Sequence, residues 1–157
     1  MRELPPELAD ALRPVLPALA EDTIAAIGRE VPDYARPMEG EFGRVVRAAI
    51  VQALSRFVDR IADPQAVPPE GQQGMYAALG RGEMRAGRSL GALLSAYRTG
   101  ARVAWRRCVE AGKAAGLEPD VLYGLGEAMF AYIDGLSAES PGGYAQALSA
   151  DGGERAL

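Results

Sequence analysis

Histidine is absent from the 157-residue chain, and cysteine occurs once, at Cys108. Without histidine, the chain lacks the usual proximal haem ligand, the commonest zinc ligand and the usual general base. It also cannot form a Ser/His or Cys/His nucleophilic pair, and one cysteine cannot form an internal disulfide. We therefore predict no catalytic residue, no metal site and no haem or other cofactor, and we do not expect an enzyme.

Long uncharged apolar segments are also missing, so no stretch has the length of a membrane span. The N-terminal segment MRELPPELAD is too acidic and too rich in proline for a secretion signal. With 48% apolar residues and a net charge of −4, the composition is typical of soluble globular proteins. We expect a cytoplasmic protein that makes no membrane contact, with one domain over residues 1–157.

The apolar residues recur at helical rather than strand spacing, which predicts an all-α bundle of about five to six helices. Prolines and glycines mark the expected boundaries. The predicted helices cover residues 5–31, with a kink or a split at Pro14 and Pro17, and then 37–62, 71–87, 90–115 and 119–137.

Caps and breaks refine these boundaries. Ser89 is a suitable N-cap and Gly116 a suitable left-handed C-cap for the helix between them, and Pro119 can start the next one after a very short loop. These two helices should therefore be antiparallel neighbours. Pro141, together with the two glycines that follow it, is expected to interrupt the last helix and to leave 138–157 as a separate exit helix or a frayed tail.

Arginines are concentrated between Arg81 and Arg107, where seven arginines accompany a single acid, Glu83. Of the 17 basic and 21 acidic residues in the chain, 10 and 20 lie elsewhere, so the chain's own acids can neutralise this segment. Helical spacing places Arg98, Arg102 and Arg106 in one row, and Arg98, nearest the Trp105 side, is the one that we expect to be partly buried. We expect ion pairs within the chain and a solvated face.

Two alternatives use the same arginines. Nucleic-acid binding is disfavoured, because the chain is acidic overall and because Tyr97 and Trp105 lie on the apolar stripe, where core packing is expected. The second alternative is a sensor pocket for a small anionic ligand, formed by Tyr97, Arg98, Arg102 and Trp105. Cys108 faces the same predicted core, which favours an inert buried thiol.

The last predicted helix has apolar residues outside its inward stripe. Tyr123 and Phe130 fall on the outer side, and we predict that these two residues, with Ile133, form a homodimer interface along the last two long helices.

Three segments carry a family resemblance: VPDYA from Val31, GEMRAGRSLGALLSAYRTGARVAWRR from Gly82, and EAMFAYIDGLSAES from Glu127. They resemble the N-terminal domain of actinobacterial PucR/CdaR-like transcriptional regulators, which is related to the N-terminal domain of RsbR-type stressosome proteins. The resemblance covers nearly the whole chain. It implies a non-catalytic sensory or regulatory input domain, which in relatives precedes a C-terminal helix-turn-helix.

The resemblance also implies a dimeric, haem-free, globin-like fold, and a domain that works through a regulatory protein partner or a ligand. This chain stops where relatives continue toward an output domain, so we expect an excised or standalone module that does not itself bind operator DNA. The resemblance names no ligand.

Overall fold

The computed structural model describes residues 4–35, 40–66 and 74–156, without the side chains of Phe42 and residues 152–156. Within these ranges the chain is all-α, as predicted, and contains no strand. Two single 3-10 turns, Arg13–Val15 and Pro32–Tyr34, accompany the helices. The helices are α1 (Pro6–Leu12), α2 (Leu16–Glu30), α3 (Glu41–Ala62), α4 (Met75–Arg85), α5 (Leu90–Ala114) and α6 (Pro119–Ala156).

The first predicted helix is split, as its prolines indicate. α1 ends at Leu12, the 3-10 turn contains Pro14, and α2 begins at Leu16 with Pro17 in its first turn. Proline lacks the N–H that an interior helical position donates, so both prolines lie where a helix is starting or already broken.

α3 ends at Ala62 as predicted, but its start differs from the prediction. The expected start at Pro37 lies outside the described residues, and the helix begins at Glu41, after Gly40 with a φ of 83°. Val45 was expected in the core stripe of this helix, yet it is 52% exposed. The first turns of α3 therefore project beyond the part of the bundle that covers the rest of the stripe.

Both predicted caps of α5 are confirmed. The Ser89 hydroxyl oxygen accepts a hydrogen bond from the Ala92 N–H over 3.1 Å. At the other end Gly116 has a φ of 76°, and the Leu117 N–H donates to the Gly112 carbonyl over 3.0 Å. This left-handed closure turns the chain within a few residues into α6, which begins at Pro119.

The predicted interruption at Pro141, Gly142 and Gly143 is wrong, because α6 runs unbroken through all three residues. Tertiary packing outweighs the local preference here. The Ser140 hydroxyl donates to the Tyr76 carbonyl of α4 over 2.9 Å and also approaches the Leu136 carbonyl of its own helix. Gly143, one of the two glycines that we read as a break, lies against the Ala77 backbone and allows α4 and α6 to approach closely.

Two clusters of buried apolar residues join the helices other than α4. The larger joins α1, α2, α3, α5 and α6 and contains Cys108, which is 3% exposed and so confirms the buried thiol. The smaller one joins α2, the Val31–Tyr34 segment and the first half of α5. Trp105, expected in the core, is 37% exposed and covers Gly126 of α6 with the edge of its ring. Its position at the edge of the stripe places it at the α5–α6 boundary.

Candidate functional site

The four residues predicted for a ligand pocket do not come together. Tyr97 points between the helices, whereas Arg98 and Arg102 are exposed on the outer side of α5 and Trp105 lies at its boundary with α6. The predicted partial burial of Arg98 is wrong, because Arg98, Arg102 and Arg106 are all exposed. The Arg98 side chain donates to the Ser95 hydroxyl over 3.2 Å and meets no carboxylate among the described residues.

Ion pairs within the chain neutralise part of the arginine-rich segment, as predicted. Arg102 forms a two-oxygen pair with Glu30 of α2, and Arg107 pairs with Asp22 of the same helix. These pairs are partly exposed, so each contributes little to stability. They nevertheless determine which arginines stay unpaired. Within the row, Arg98 and Arg106 have no acidic partner among the described residues.

A cavity of about 140 Å³ lies between α2, α3, α4, α5 and α6. Its walls are mainly apolar, with side chains such as Ile27, Ile50, Leu79, Leu93, Met129 and Ile133. Val45 also lines it and is half exposed, which places an opening beside the first turns of α3. An apolar cavity with few polar groups is the usual form of a small-molecule site.

Two chains of hydrogen bonds connect the tyrosines around the cavity. The Tyr132 hydroxyl donates to the Ala53 carbonyl over 2.9 Å, so the 2.8 Å bond between Tyr76 and Tyr132 must use the Tyr76 proton. Ser140 uses its proton on main-chain carbonyls, so Tyr97 donates to Ser140 over 2.7 Å. The protons of these phenols are therefore all donated within the protein.

Glu83 of α4 is the buried acid of the cavity wall and is 4% exposed. Its Oε2 accepts a hydrogen bond from the Tyr34 hydroxyl over 2.8 Å and one from Arg88 Nε over 2.9 Å. The Arg88 guanidinium also lies over the Tyr34 ring, 5.7 Å from its centroid. Glu83 Oε1 accepts no hydrogen bond from any described residue.

Burial governs the acidity of these groups. It is the largest cause that raises the pKa of Tyr34, and the hydrogen bond to Glu83 raises it further. Burial also raises the pKa of Tyr97 to about 12 and the pKa of Cys108 to about 12. The phenols and the thiol of this region therefore stay protonated at neutral pH and act as neutral groups.

The outer surface of α5 and α6 forms a second feature, which we call the aromatic face. Trp105 covers Gly126, and Tyr123 and Phe130 stand three residues before and four residues after that glycine on the same side of α6. The exposed fractions are 69% for Tyr123 and 74% for Phe130. Both were predicted to lie outside the inward stripe, and the structure confirms this, whereas the third predicted interface residue, Ile133, lines the cavity instead.

Comparison with protein families matches the family model described as the PucR-like N-terminal domain over residues 1–156. The chain belongs to this family. It is therefore a regulatory type of domain, as the resemblance implied. The comparisons with curated proteins and with solved structures found no match, so the globin-like fold stays a prediction. Over the residues described, no helix of this PucR-like domain combines the length and apolar character needed to cross a membrane.

Sequence reasoning missed Glu83 and Tyr34 of the PucR-like domain as partners. One signal was available: Tyr76, Gly80 and Glu83 share one side of α4, and all three are buried. An acid on the same side of a helix as an aromatic residue and a glycine indicates a buried carboxylate, which needs a partner inside the protein. The identity of that partner depends on Tyr34, which lies 49 positions earlier in the chain.

Proposed function

We propose that this PucR-like domain is a non-catalytic input domain that acts through a homodimer formed by the aromatic faces of two copies. The observation that carries the proposal is the exposure of Phe130 and Tyr123 beside the half-covered Trp105. Large aromatic residues are enriched at protein interfaces, and neighbouring exposed ones mark an interaction surface.

Charge gives the aromatic face two unlike edges. Helical spacing places Glu127 and Asp134 beyond Phe130 on α6, and Arg98 and Arg102 beyond Trp105 on α5. A two-fold axis parallel to both helices would bring the acidic edge of each copy opposite the basic edge of its partner. Such a surface is self-complementary, which a two-fold dimer requires. In this arrangement the acids that pair with Arg98 belong to the partner.

Native mass spectrometry and light scattering across the micromolar range test the proposal. The wild-type chain should be a dimer, and Phe130→Lys should raise the dimer Kd by at least about 30-fold, as expected for an interface hot spot. Lysine at this position faces Glu127 and Asp134 at helical spacing, so the monomer should stay folded. Val51→Lys is the matched control, because Val51 is 44% exposed on α3.

Charge reversal tests the orientation of the dimer. Arg98→Asp and Asp134→Arg should each weaken the dimer, and the double variant should recover part of the loss. A wild-type chain that is monomeric at every concentration would overturn the proposal and favour a module that binds another regulatory protein. If sulfate raised the melting temperature of that monomer, and Arg98→Ala removed the effect, the anionic-ligand alternative would take its place.

A further inference from the structure

We infer that the cavity binds a small uncharged molecule, about the size of one substituted aromatic ring, which donates one hydrogen bond to Glu83. A regulatory role for this ligand rests on the proposed input function. Binding of the ligand does not, because the cavity lies within one copy of the chain. Of the residues of the predicted anionic pocket, Tyr97 lines this cavity, whereas Arg98, Arg102 and Trp105 do not, and the cavity takes a different class of ligand.

Size and lining set the body of the ligand. The cavity volume is about 140 Å³. An engineered apolar cavity of about 150 Å³ stays free of water and binds benzene. The walls here are similarly apolar, with Ile27, Ile50, Leu93 and Met129 from four different helices. A compact apolar ring with short substituents therefore fits, and a longer or strongly hydrated molecule does not.

The hydrogen bonds around the cavity use the hydroxyl donors and leave one carboxylate oxygen without a described partner. The Tyr97, Tyr76 and Tyr132 hydroxyls each donate to a protein oxygen, and the Thr23 hydroxyl donates to the Leu19 carbonyl over 2.8 Å. Glu83 lines the cavity, and both of its hydrogen bonds end on Oε2. Oε1 of Glu83 is thus the charged acceptor to which a ligand hydroxyl or N–H would donate, and a charged acceptor forms the stronger hydrogen bond.

Charge excludes the ionic classes. Arg88 already balances the Glu83 carboxylate at 2.9 Å. A ligand anion would be repelled by that carboxylate. A ligand cation would leave an extra, unbalanced charge in an apolar cavity, and burying such a charge costs free energy. A neutral donor such as a phenol, an alcohol or an indole N–H gains a charge-assisted hydrogen bond and adds no charge.

The test uses the full chain and four compounds of similar size: phenol, indole, toluene and benzoate. Thermal unfolding followed by calorimetric titration should show binding of phenol and indole, with the melting temperature raised by roughly 3–5 °C at about ten times Kd. Toluene should bind at least about 5-fold more weakly, because it offers no donor to Glu83. Benzoate should not bind.

Ala49→Leu is the variant that tests the location, because Ala49 lines the cavity and leucine would fill part of it. It should remove phenol binding while the chain stays folded. Ala48→Leu is the matched control, since its neighbour Ala48 is exposed on the same helix and is not part of the cavity wall.

Each result decides one part of the inference. No binding of phenol or indole, or binding that survives in Ala49→Leu, would overturn the cavity as a site. Toluene binding as tightly as phenol would overturn the role of Glu83, and benzoate binding would overturn the uncharged class. Light scattering on the same samples shows whether the cavity proposal or the dimer proposal has failed, because Ala49→Leu should leave the oligomeric state unchanged.

Discussion

Gly143 of α6 lies directly against Ala77 of α4, so close that a Cβ atom on the glycine would come within 2.6 Å of the Ala77 carbonyl carbon and nearer still to its oxygen. Gly80 meets the Ser140 carbonyl in the same way from the other side. The two helices therefore touch through their backbones, and glycine is required at both crossings.

Gly143→Ala should destabilise the chain by about 2 kcal/mol or more, since the two backbones would have to separate to admit a methyl group. Gly142→Ala is the matched control. Gly142 has open space around its Cβ position, and alanine there should be neutral or should stabilise the helix by up to about 1 kcal/mol. Urea unfolding of both variants measures the difference. Equal stability of the two variants would show that α4 and α6 are not in backbone contact.

Glu83→Ala should lower the free energy of unfolding by about 3 kcal/mol, because it removes the acceptor shared by Tyr34 and Arg88 inside the bundle. Glu83→Gln keeps an acceptor oxygen and the shape of the side chain, so it should cost less than the alanine variant. The comparison variant is Glu110→Ala, because Glu110 is exposed on α5 and should change stability by less than about 0.5 kcal/mol. Chemical denaturation at neutral pH measures all three, and a loss at Glu83 no greater than at Glu110 would contradict the assignment.

Local chemistry explains what could be predicted from the sequence. The split at Pro14, the Ser89 cap and the left-handed Gly116 depend on neighbouring residues only, and the structure confirms all of them. The inward stripe of α6 was also predicted, because helical spacing fixes which residues share a side.

The wrong predictions concern residues whose environment is set by distant parts of the chain. Pro141 stays inside α6 because α4 packs against that segment, which local propensity does not record. Arg98 and Trp105 lie at the edge of the α5 stripe, where a small rotation of the helix decides between burial and solvent. The partner of Glu83 could not be predicted from α4 alone, because Tyr34 lies 49 positions earlier in the chain.

Alkaline pH should unfold the chain through its buried tyrosines. The pKa of Tyr97 rises from 10.0 to about 12 on folding, so between these values the folded state holds a proton that the unfolded state has lost. The stability that the Tyr97 phenol contributes is therefore fully present below pH 10 and is lost as the pH rises toward 12. At neutral pH, Tyr97→Phe should lower the free energy of unfolding by about 1 kcal/mol, because it removes the hydrogen bond to Ser140.

The slope of stability against pH separates the titration of Tyr97 from its hydrogen bond. Above pH 10, Tyr97→Phe should lose stability less steeply, by up to about 1.4 kcal/mol per pH unit, because one titrating group is gone. Ser140→Ala removes the hydrogen-bond partner but keeps the phenol, so its slope should match the wild type. Urea unfolding at several pH values provides the comparison, and identical slopes for wild type and Tyr97→Phe would contradict the effect of burial on Tyr97.

Cys108 should report the opening of the bundle. It is the one thiol of the chain, it is 3% exposed, and burial raises its pKa to about 12. Only the thiolate reacts with an aromatic disulfide reagent, so labelling at pH 8 should be at least about 100-fold slower in the folded chain than in denaturant. Gly143→Ala should speed the labelling, because it lowers the free energy of opening, whereas Gly142→Ala should not. Rapid and complete labelling of the folded wild-type chain would contradict the buried position of Cys108 and, with it, the packing of α5 against α1 and α6.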